Sequence, residues 1–235
     1  MLVYTLPSLM GATVLCRPSK RVRSPYIADI ELDDGTIGLC HTPGLGCAGL
    51  VAPGKRIYVS ENYDTEIKTN WIAHVSEGLS TMIGIHPQTT KEAIYTLLER
   101  IHPDAHWTAN VIVKYSLMDY VGYLPDGKKV YVELKMVLSE SMDKIIVPTC
   151  KTARDYTEMN VLKQVLALPD THSCHFLFLV PHAHCDSVMI DVKDTTYHAK
   201  MRQAVETGIY LHAFVLEYDV EGDILFNKEV SVTLS

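Results

Sequence analysis

Two carboxylates and a lysine in the second half of the chain have the types and spacing to hold a divalent cation beside a phosphate. Asp119 ends the segment Tyr115-Ser-Leu-Met-Asp119, and Glu133 and Lys135 lie in Val130-Tyr-Val-Glu-Leu-Lys-Met-Val137, beyond the tight turn Pro125-Asp-Gly127. Residues i and i+2 of a strand point to the same side, so Glu133 and Lys135 share one face while Val132, Leu134 and Met136 take the other. If 115–124 pairs with 129–138, Asp119 comes beside Glu133. The two carboxylates would then hold a divalent metal, Mg2+ or Mn2+, through oxygen ligands. Such an ion polarises a phosphoryl oxygen and lowers the pKa of a bound water. Lys135 would position that water or offset charge developing on the phosphate. A plainer alternative stays open, because Glu-x-Lys on a strand is common and a solvated face of Asp, Glu and Lys needs no metal. The flanking Val130, Val132, Leu134, Met136 and Val137 point to a buried strand, where an unpaired Glu or Lys is costly.

The elements that must position these residues change character along the chain. Residues 1–16 read as an early strand and turn. Next, 26–32 alternates loosely, Asp33-Asp-Gly35 turns the chain and 36–41 follows, a hairpin pattern. The Gly-rich stretch Pro43-Gly-Leu-Gly-Cys-Ala-Gly49 and the turn Pro53-Gly54 lead to strands at 56–60 and 68–75. Short strands divided by Gly and Pro turns, with no strong helix among them, suggest a small barrel. After Gly84 the apolar Ala93, Ile94, Leu97, Leu98 and Ile101 recur at helical spacing, predicting a helix over 89–101. Strands at 111–113, 115–124 and 129–138 follow, then a helix over 152–168 and an apolar strand at 175–180. A helix over 195–207 ends near Gly208, a suitable C-terminal cap, and strands at 209–218 and 224–233 close the chain. This order predicts a mixed sheet flanked by helices, with a first domain over 1–84 and a second over 85–235.

Bulk properties exclude several classes. The 235 residues are 47% hydrophobic and 21% charged, which is globular rather than disordered composition. No apolar run approaches the roughly 20 residues that cross a bilayer, so no membrane partner is expected. The first positive side chain, Arg17, follows the apolar opening segment, the reverse of a cleaved signal peptide. A soluble chain, cytoplasmic or otherwise intracellular, is the expectation. The six cysteines form no Cys-x-x-Cys pair and read as reduced, packed thiols. The net charge of −7 divides into −1 for 1–88 and −6 for 89–235. That acidity argues against a strong non-specific grip on nucleic acid by the whole surface, because such binding is driven by counterion release. A metal site is itself acidic before the metal arrives.

Two further clusters carry alternatives. Arg17, Lys20, Arg21 and Arg23, extended by Lys55 and Arg56, could touch phosphates beside a barrel groove, or could form a solvated strand edge. His172, Cys174, His175, His182, His184 and Cys185 invite a zinc reading. The apolar strand between His175 and His182 places them at opposite ends, which favours loop imidazoles and a buried thiol. His41, in the Gly-rich loop, reads as a ligand contact or as a hydrogen-bonded structural histidine.

At Asp119 and Tyr131-Val-Glu-Leu-Lys135, followed by Pro148, Thr152 and Arg154, the chain resembles the sugar fermentation stimulation protein A (SfsA) family. The resemblance runs along almost the whole sequence. Gly11, Arg17, Lys20-Arg21 and Ala28-Asp-Ile-Glu31 are similar to the family's opening. His41 with Pro43, Gly46 and Pro53-Gly54 resembles its Gly-containing, phosphate-sized loop. Lys68 to Trp71, Glu92-Ala93, Phe178-Leu-Val180, Asp186, Asp194 with Tyr197, and Ala204 with Gly208 keep the family's order. The resemblance implies an α+β two-domain chain: an N-terminal OB-like β-barrel, then an α/β PD-(D/E)xK restriction-endonuclease-like domain with a mixed sheet. Asp119, Glu133 and Lys135 would be that superfamily's Asp, Glu and Lys. Glu92 would be a third carboxylate from the preceding helix, with Glu99 an equal alternative. Arg17, Lys20, Arg21, His41 and Arg154 would meet nucleic acid. Family members are described as DNA-binding or as nucleases, so DNA is favoured over RNA, and a homodimer is left open. Three departures stand out: Gly44-Leu-Gly46 replaces Asn-Thr-Gly, Glu158 takes the place of a histidine, and Asp155 that of a glycine.

A divalent-metal-dependent nuclease is therefore the leading expectation. A non-catalytic DNA-binding regulator keeping the nuclease fold is its rival. A module that binds a phosphorylated metabolite is the third reading.

Overall fold

Small and β-branched side chains at alternate positions close the first sheet on itself. The computed structural model describes residues 1–44, 47–63, 68–149 and 153–234, for 153–156 the backbone alone. Leu45 and Gly46 of the Gly-rich loop, Thr152, and the side chains of Arg154 and Asp155 thus lie outside the described residues. Strands β1 (Leu2–Thr5), β2 (Met10–Cys16), β3 (Ile27–Leu32), β4 (Ile37–His41), β5 (Arg56–Glu61) and β6 (Trp71–Glu77) open the chain. From β2 onward they pair in the order β4-β3-β2-β5-β6, and a parallel pairing of β4 with β6 through Cys40–Trp71 and His41–Ile72 closes the barrel. Ala12, Val14, Ala28, Ile30, Cys40, Ile57, Val59 and Ala73 fill its interior. The turn expected at Asp33-Asp-Gly35 is present: Gly35 has φ +85°, and the Asp34 carboxylate accepts the Thr36 N–H at 2.8 Å.

The strand ahead of the barrel goes elsewhere. β1 pairs antiparallel with β15 (Asp223–Glu229), so the N-terminus forms an edge of the second sheet. That sheet is completed by β8 (His106–Val113), β9 (Ser116–Tyr123), β10 (Lys129–Met136), β12 (Thr171–Val180) and β14 (Tyr210–Tyr218), in the order β1-β15-β14-β12-β10-β9-β8. Pairings β10–β12 and β12–β14 are parallel and the others antiparallel, giving the expected mixed sheet. Helix α1 (Pro87–Tyr95) covers one face, where Ala93, Ile94, Leu97 and Leu98 pack on Val130, Val132, Leu177, Leu179, Phe214 and Leu216. Helices α2 (Ala153–Leu166) and α3 (Thr195–Glu206) cover the other, against Tyr131, Phe176, Phe178 and Val180. Covered on both faces, β12 needs apolar residues at nearly every position, which is why it reads as an unbroken apolar run.

The structure corrects several expected boundaries. The helix foreseen over 89–101 ends at Tyr95 and is followed by a short 3-10 turn, Leu98–Arg100. Tyr115 is not in a strand: Lys114 and Tyr115, with φ +47° and +69°, form the tight turn between β8 and β9, and Tyr115 is fully exposed. Such turns favour Asn-Gly, so the pattern carried no signal for this one. The expected strand 224–233 is two strands, because β16 (Ser231–Leu234) leaves the large sheet. It joins β13 (Cys185–Ile190), which pairs with β11 (Asp143–Val147), in a parallel three-stranded sheet over α3. β11 and β13 have five and six residues, too short for a clear pattern in the sequence.

The barrel and the large sheet meet where β7 (Met82–Gly84) passes β14. Gly84 donates its N–H to the Pro181 carbonyl at 2.8 Å, and a Cβ there would lie 2.2 Å from the ring of the buried Tyr218. The Tyr218 hydroxyl is held at 2.9 Å from Thr90 Oγ1, so the ring has little room to withdraw. Gly84→Ala is therefore expected to lower stability by about 1–3 kcal/mol through overpacking, read as a lower urea midpoint; an unchanged midpoint would refute this close fit.

Candidate functional site

The large sheet opens where the carboxylates lie. Pairing of β9 with β10 runs from Tyr123–Lys129 to Tyr120–Val132; the next positions are Asp119 and Glu133. On its other side β9 pairs with β8 at Tyr120–Ala109 and again at Met118–Val111, and opposite Asp119 stands Asn110 with φ +55°. The Leu134 N–H, which a continuous ladder would leave to a backbone carbonyl, instead donates to Asp119 Oδ2 at 2.9 Å. Asp119 is thus drawn against β10 by its own side chain, and it and Glu133 are only 2% and 1% exposed.

Different neighbours reach this pair from the two faces of the sheet. From α1, the Lys91 ammonium forms an ion pair with Asp119 Oδ1. The Tyr120 hydroxyl donates to the Lys91 carbonyl at 2.8 Å and fixes that turn of helix over the strand. Lys91 and Asp119 line a cleft of about 330 Å³ with Gln88, Glu92, Tyr95, Asn110 and Tyr120. On the α2 side, Glu133 lines a cleft of about 180 Å³ with Ser116, Leu117, Thr157, Glu158 and Val161. Among the described residues Glu133 Oε2 is buried without a hydrogen-bond partner. Burial pushes the Glu133 carboxyl well above its ordinary value, and the nearby Asp119 and Glu158 carboxylates add to the shift.

The sequence-derived candidates separate into groups. Asp119 and Glu133 come together, and Lys135, half-buried, follows Glu133 by two residues on the same strand. Glu92 shares the Asp119 cleft, but its Oε2 accepts from the Tyr4 hydroxyl at 3.0 Å and its Oε1 from the Gln88 amide at 3.3 Å, so its carboxylate is engaged apart from the pair. Glu99 is exposed on the 3-10 turn. Arg17, Lys20, Arg21 and His41 all lie on the barrel. Arg17 donates to the Pro25 carbonyl at 3.0 Å and to the Gly44 carbonyl, while Arg21 pairs with Asp29 at 3.2 Å. Burial acts to raise the Asp29 pKa, but hydrogen bonds from Cys16, Ser19, the Lys20 N–H and Arg21 outweigh it and hold the group at about 2. Lys55 pairs with Glu140, and Arg56 with Asp33. Burial, then Arg17, lowers the pKa of the half-buried His41.

Lys91 is the functional candidate that pattern reasoning passed over. A lysine on an amphipathic helix reads as solvent-facing, and only the crossing of α1 over β9 turns it to Asp119. In the sequence Glu158 reads only as a departure from the resembled family; the structure buries it beside Glu133. Of the histidines and cysteines read for zinc, His175 lies near His172 and His182 near His184. Among the described residues no three His, Cys, Asp or Glu side chains gather around one point as a metal centre. His182 is buried, and burial, then His184, lowers its imidazole to about 4.

The all-oxygen pair Asp119 and Glu133 suits a hard cation. Two features support that fit: the orphaned Glu133 Oε2 and the ammonium already resting on Asp119.

A closed five-strand barrel ahead of a mixed sheet that parts at two buried carboxylates defines an α+β, two-domain protein: an OB-like barrel joined to a restriction-endonuclease-like domain. The chain belongs to the sugar fermentation stimulation protein family, since residues 84–222 match the model described as the sugar fermentation stimulation protein RE domain. It is 25% identical over 218 residues to the sugar fermentation stimulation protein homolog of Synechocystis, covering 88% of this chain and 89% of that one. With the homolog of Acaryochloris marina it shares 26% identity over 231 residues, 94% and 92% of the two chains. Its fold is similar to that of Pyrococcus furiosus SfsA, solved in complex with Ca2+: the TM-score is 0.85 over 99% of both chains, at 17% identity. No helix of the described residues is long and apolar enough to cross a membrane.

The raised Glu133 pKa has a pH consequence. The folded state keeps a proton on this group that the unfolded chain loses near pH 4.5, so the metal-free fold weakens as pH rises above that value. Glu133→Gln removes this dependence. In thermal scans with chelator the variant is expected to be the more stable protein at pH 8, by a margin that shrinks toward pH 5; a margin independent of pH contradicts the assignment.

Proposed function

We propose that this protein is a divalent-metal-dependent nuclease acting on DNA in preference to RNA. Asp119 and Glu133 would hold the cation, Mg2+ or Mn2+, and Lys135 would serve the attacking water. The observation that carries this reading is the buried Glu133 oxygen beside Asp119, without a hydrogen-bond partner among the described residues, where the sheet parts. A carboxylate pair without enough cationic charge is costly in that setting, and a divalent ion relieves the cost. The Ca2+ in the Pyrococcus furiosus structure supports a hard-cation preference within this fold.

The bound cation would polarise a phosphoryl oxygen and lower the pKa of its water. The protein's part is to prepare that position. Asp119 is oriented by the Leu134 N–H, and Glu133 is fixed in the buried middle of β10. Lys135, in step with Glu133 along the strand, offers a cation toward the non-bridging oxygens or the attacking water. The barrel strands, β2 to β6, would position the nucleic acid for the site in the large sheet. The edge strand β1 ties the two parts together, since it belongs to the barrel's end of the chain and to the site's sheet.

A second reading is a DNA-binding regulator without catalysis. The buried Glu158, which lines the cleft with Glu133 where the resembled family has a histidine, favours it, because the set of groups around the pair then departs from that family's.

The deciding experiment is cleavage of labelled single- and double-stranded DNA and RNA with Mg2+ or Mn2+. Cleavage by the wild type is expected to fall by on the order of 100-fold or more in Glu133→Ala and Lys135→Ala. Folded wild-type protein that binds DNA but cleaves no polymer with either metal would establish the regulator instead.

A further inference from the structure

The ammonium of Lys91 rests where a cation on Asp119 would rest. Asp119 has few lone pairs to offer: Oδ2 is held by the Leu134 N–H, and Oδ1 faces Lys91. The Tyr120 hydroxyl donates to the Lys91 carbonyl, which fixes the turn of helix but not the side chain. The Lys91 side chain is 26% exposed against 1% for Asp119, so the partner is fixed and buried while the ammonium sits at the rim. A lysine stem has four rotatable bonds and a compact charge, and can turn from one partner to another without moving the helix. The space it would turn into is the cleft of about 330 Å³ that it already lines, many times the ~30 Å³ share of one water. The amides of Gln88 and Asn110 line the same cleft. Glu92, its other carboxylate, already accepts from Tyr4 and Gln88.

We propose that Lys91 is an exchangeable counter-ion. It neutralises Asp119 in the metal-free protein, yields that carboxylate to a divalent cation, and then binds a phosphate oxygen in the cleft between α1 and β9. The proposal rests on the reading of Asp119 as a metal ligand and gives the phosphodiester a contact on the α1 side of the sheet, with a direction of coupling. Cation and ammonium compete for one oxygen, so the metal binds more weakly than the carboxylates alone would allow. The displaced ammonium is then available to the anion, so each ligand strengthens the other, and the coupling is reciprocal. Lys135, two residues beyond Glu133 on β10, has no part in this exchange.

The test uses the full chain, Ca2+ as the cation, and a fluorescent thymidine oligonucleotide as the anion. In wild type, saturating Ca2+ is expected to tighten oligonucleotide binding about tenfold, within the range of ordinary site-to-site coupling. In Lys91→Met, Ca2+ is expected to bind about tenfold more tightly than in wild type by calorimetry, because its competitor is gone. The gain in oligonucleotide affinity on adding Ca2+ should largely disappear. Equal Ca2+ affinity in the two proteins overturns the exchange while leaving the metal reading intact. Absence of Ca2+ binding in both removes the metal reading and the exchange with it.

A measurement on wild type alone covers the case in which the variant does not fold. Amine-reactive labelling of Lys91, followed by mass spectrometry, should be slow without Ca2+, faster with Ca2+, and slow again when oligonucleotide is added. Labelling that ignores Ca2+ overturns the proposal.

Discussion

Two carboxylates side by side in the buried part of a sheet impose a constraint that most of this molecule serves. A regular antiparallel ladder would pair Asp119 and Glu133 directly, like charges at the shortest cross-strand spacing. Instead the ladder stops one position earlier, and the Asp119 side chain takes the Leu134 N–H that the break leaves unpaired. The break therefore leaves that donor satisfied. It also turns Asp119 toward α1, where Lys91 waits, while Glu133 stays toward α2 and Glu158. Each carboxylate thus has its own approach from its own face of the sheet.

Such an opening is tolerated only inside a rigid frame. β10 is held along its other edge by parallel pairing with β12 from Val130–Ser173 to Met136–Leu179, so separation from β9 does not loosen it. β12 in turn pairs with β14 from His175–Tyr210 to Val180–Val215. Apolar layers on both faces, with α1 on one and α2, α3 and the small sheet on the other, fix these strands from above and below. Burial on both sides lowers the local dielectric, which makes the charges at the opening costly to leave unpaired and effective once paired.

The barrel contributes in a different way. At the β2–β3 connection Arg21 and Ser19 bind Asp29, and Arg17 bridges to the Pro25 and Gly44 carbonyls, so these side chains hold the loop geometry. The link to the large sheet is apolar and close-packed: Val75 packs in the α1-side layer, with Tyr58 and Met82 against it, and Gly84 lies against Tyr218. The barrel is therefore positioned by packing as well as by the chain that joins it.

Local physics was enough to read much of this from the residues. Alternation and turn chemistry identified the β3–β4 hairpin, the helix ending at Gly208 and the apolar β12, because each depends on neighbours within a few positions. The hairpin around Pro125-Asp-Gly127 placed Asp119 next to Glu133 for the same reason. Three kinds of feature were not legible. Where β1 and β16 pair depends on partners far away in the chain, β15 and β13, and a short strand pattern carries no address. The turn at Lys114–Tyr115 takes positive φ without glycine, which its tertiary setting imposes. The ion pair of Lys91 with Asp119 and the burial of Glu158 arise only when α1 and α2 cross the strands, since the residues themselves look like ordinary solvated helix charges. The sequence by itself determined which carboxylates could meet, because a hairpin's register is a local matter. Tertiary structure alone decided which charges would face them, because helix packing sets that over distances no local pattern encodes.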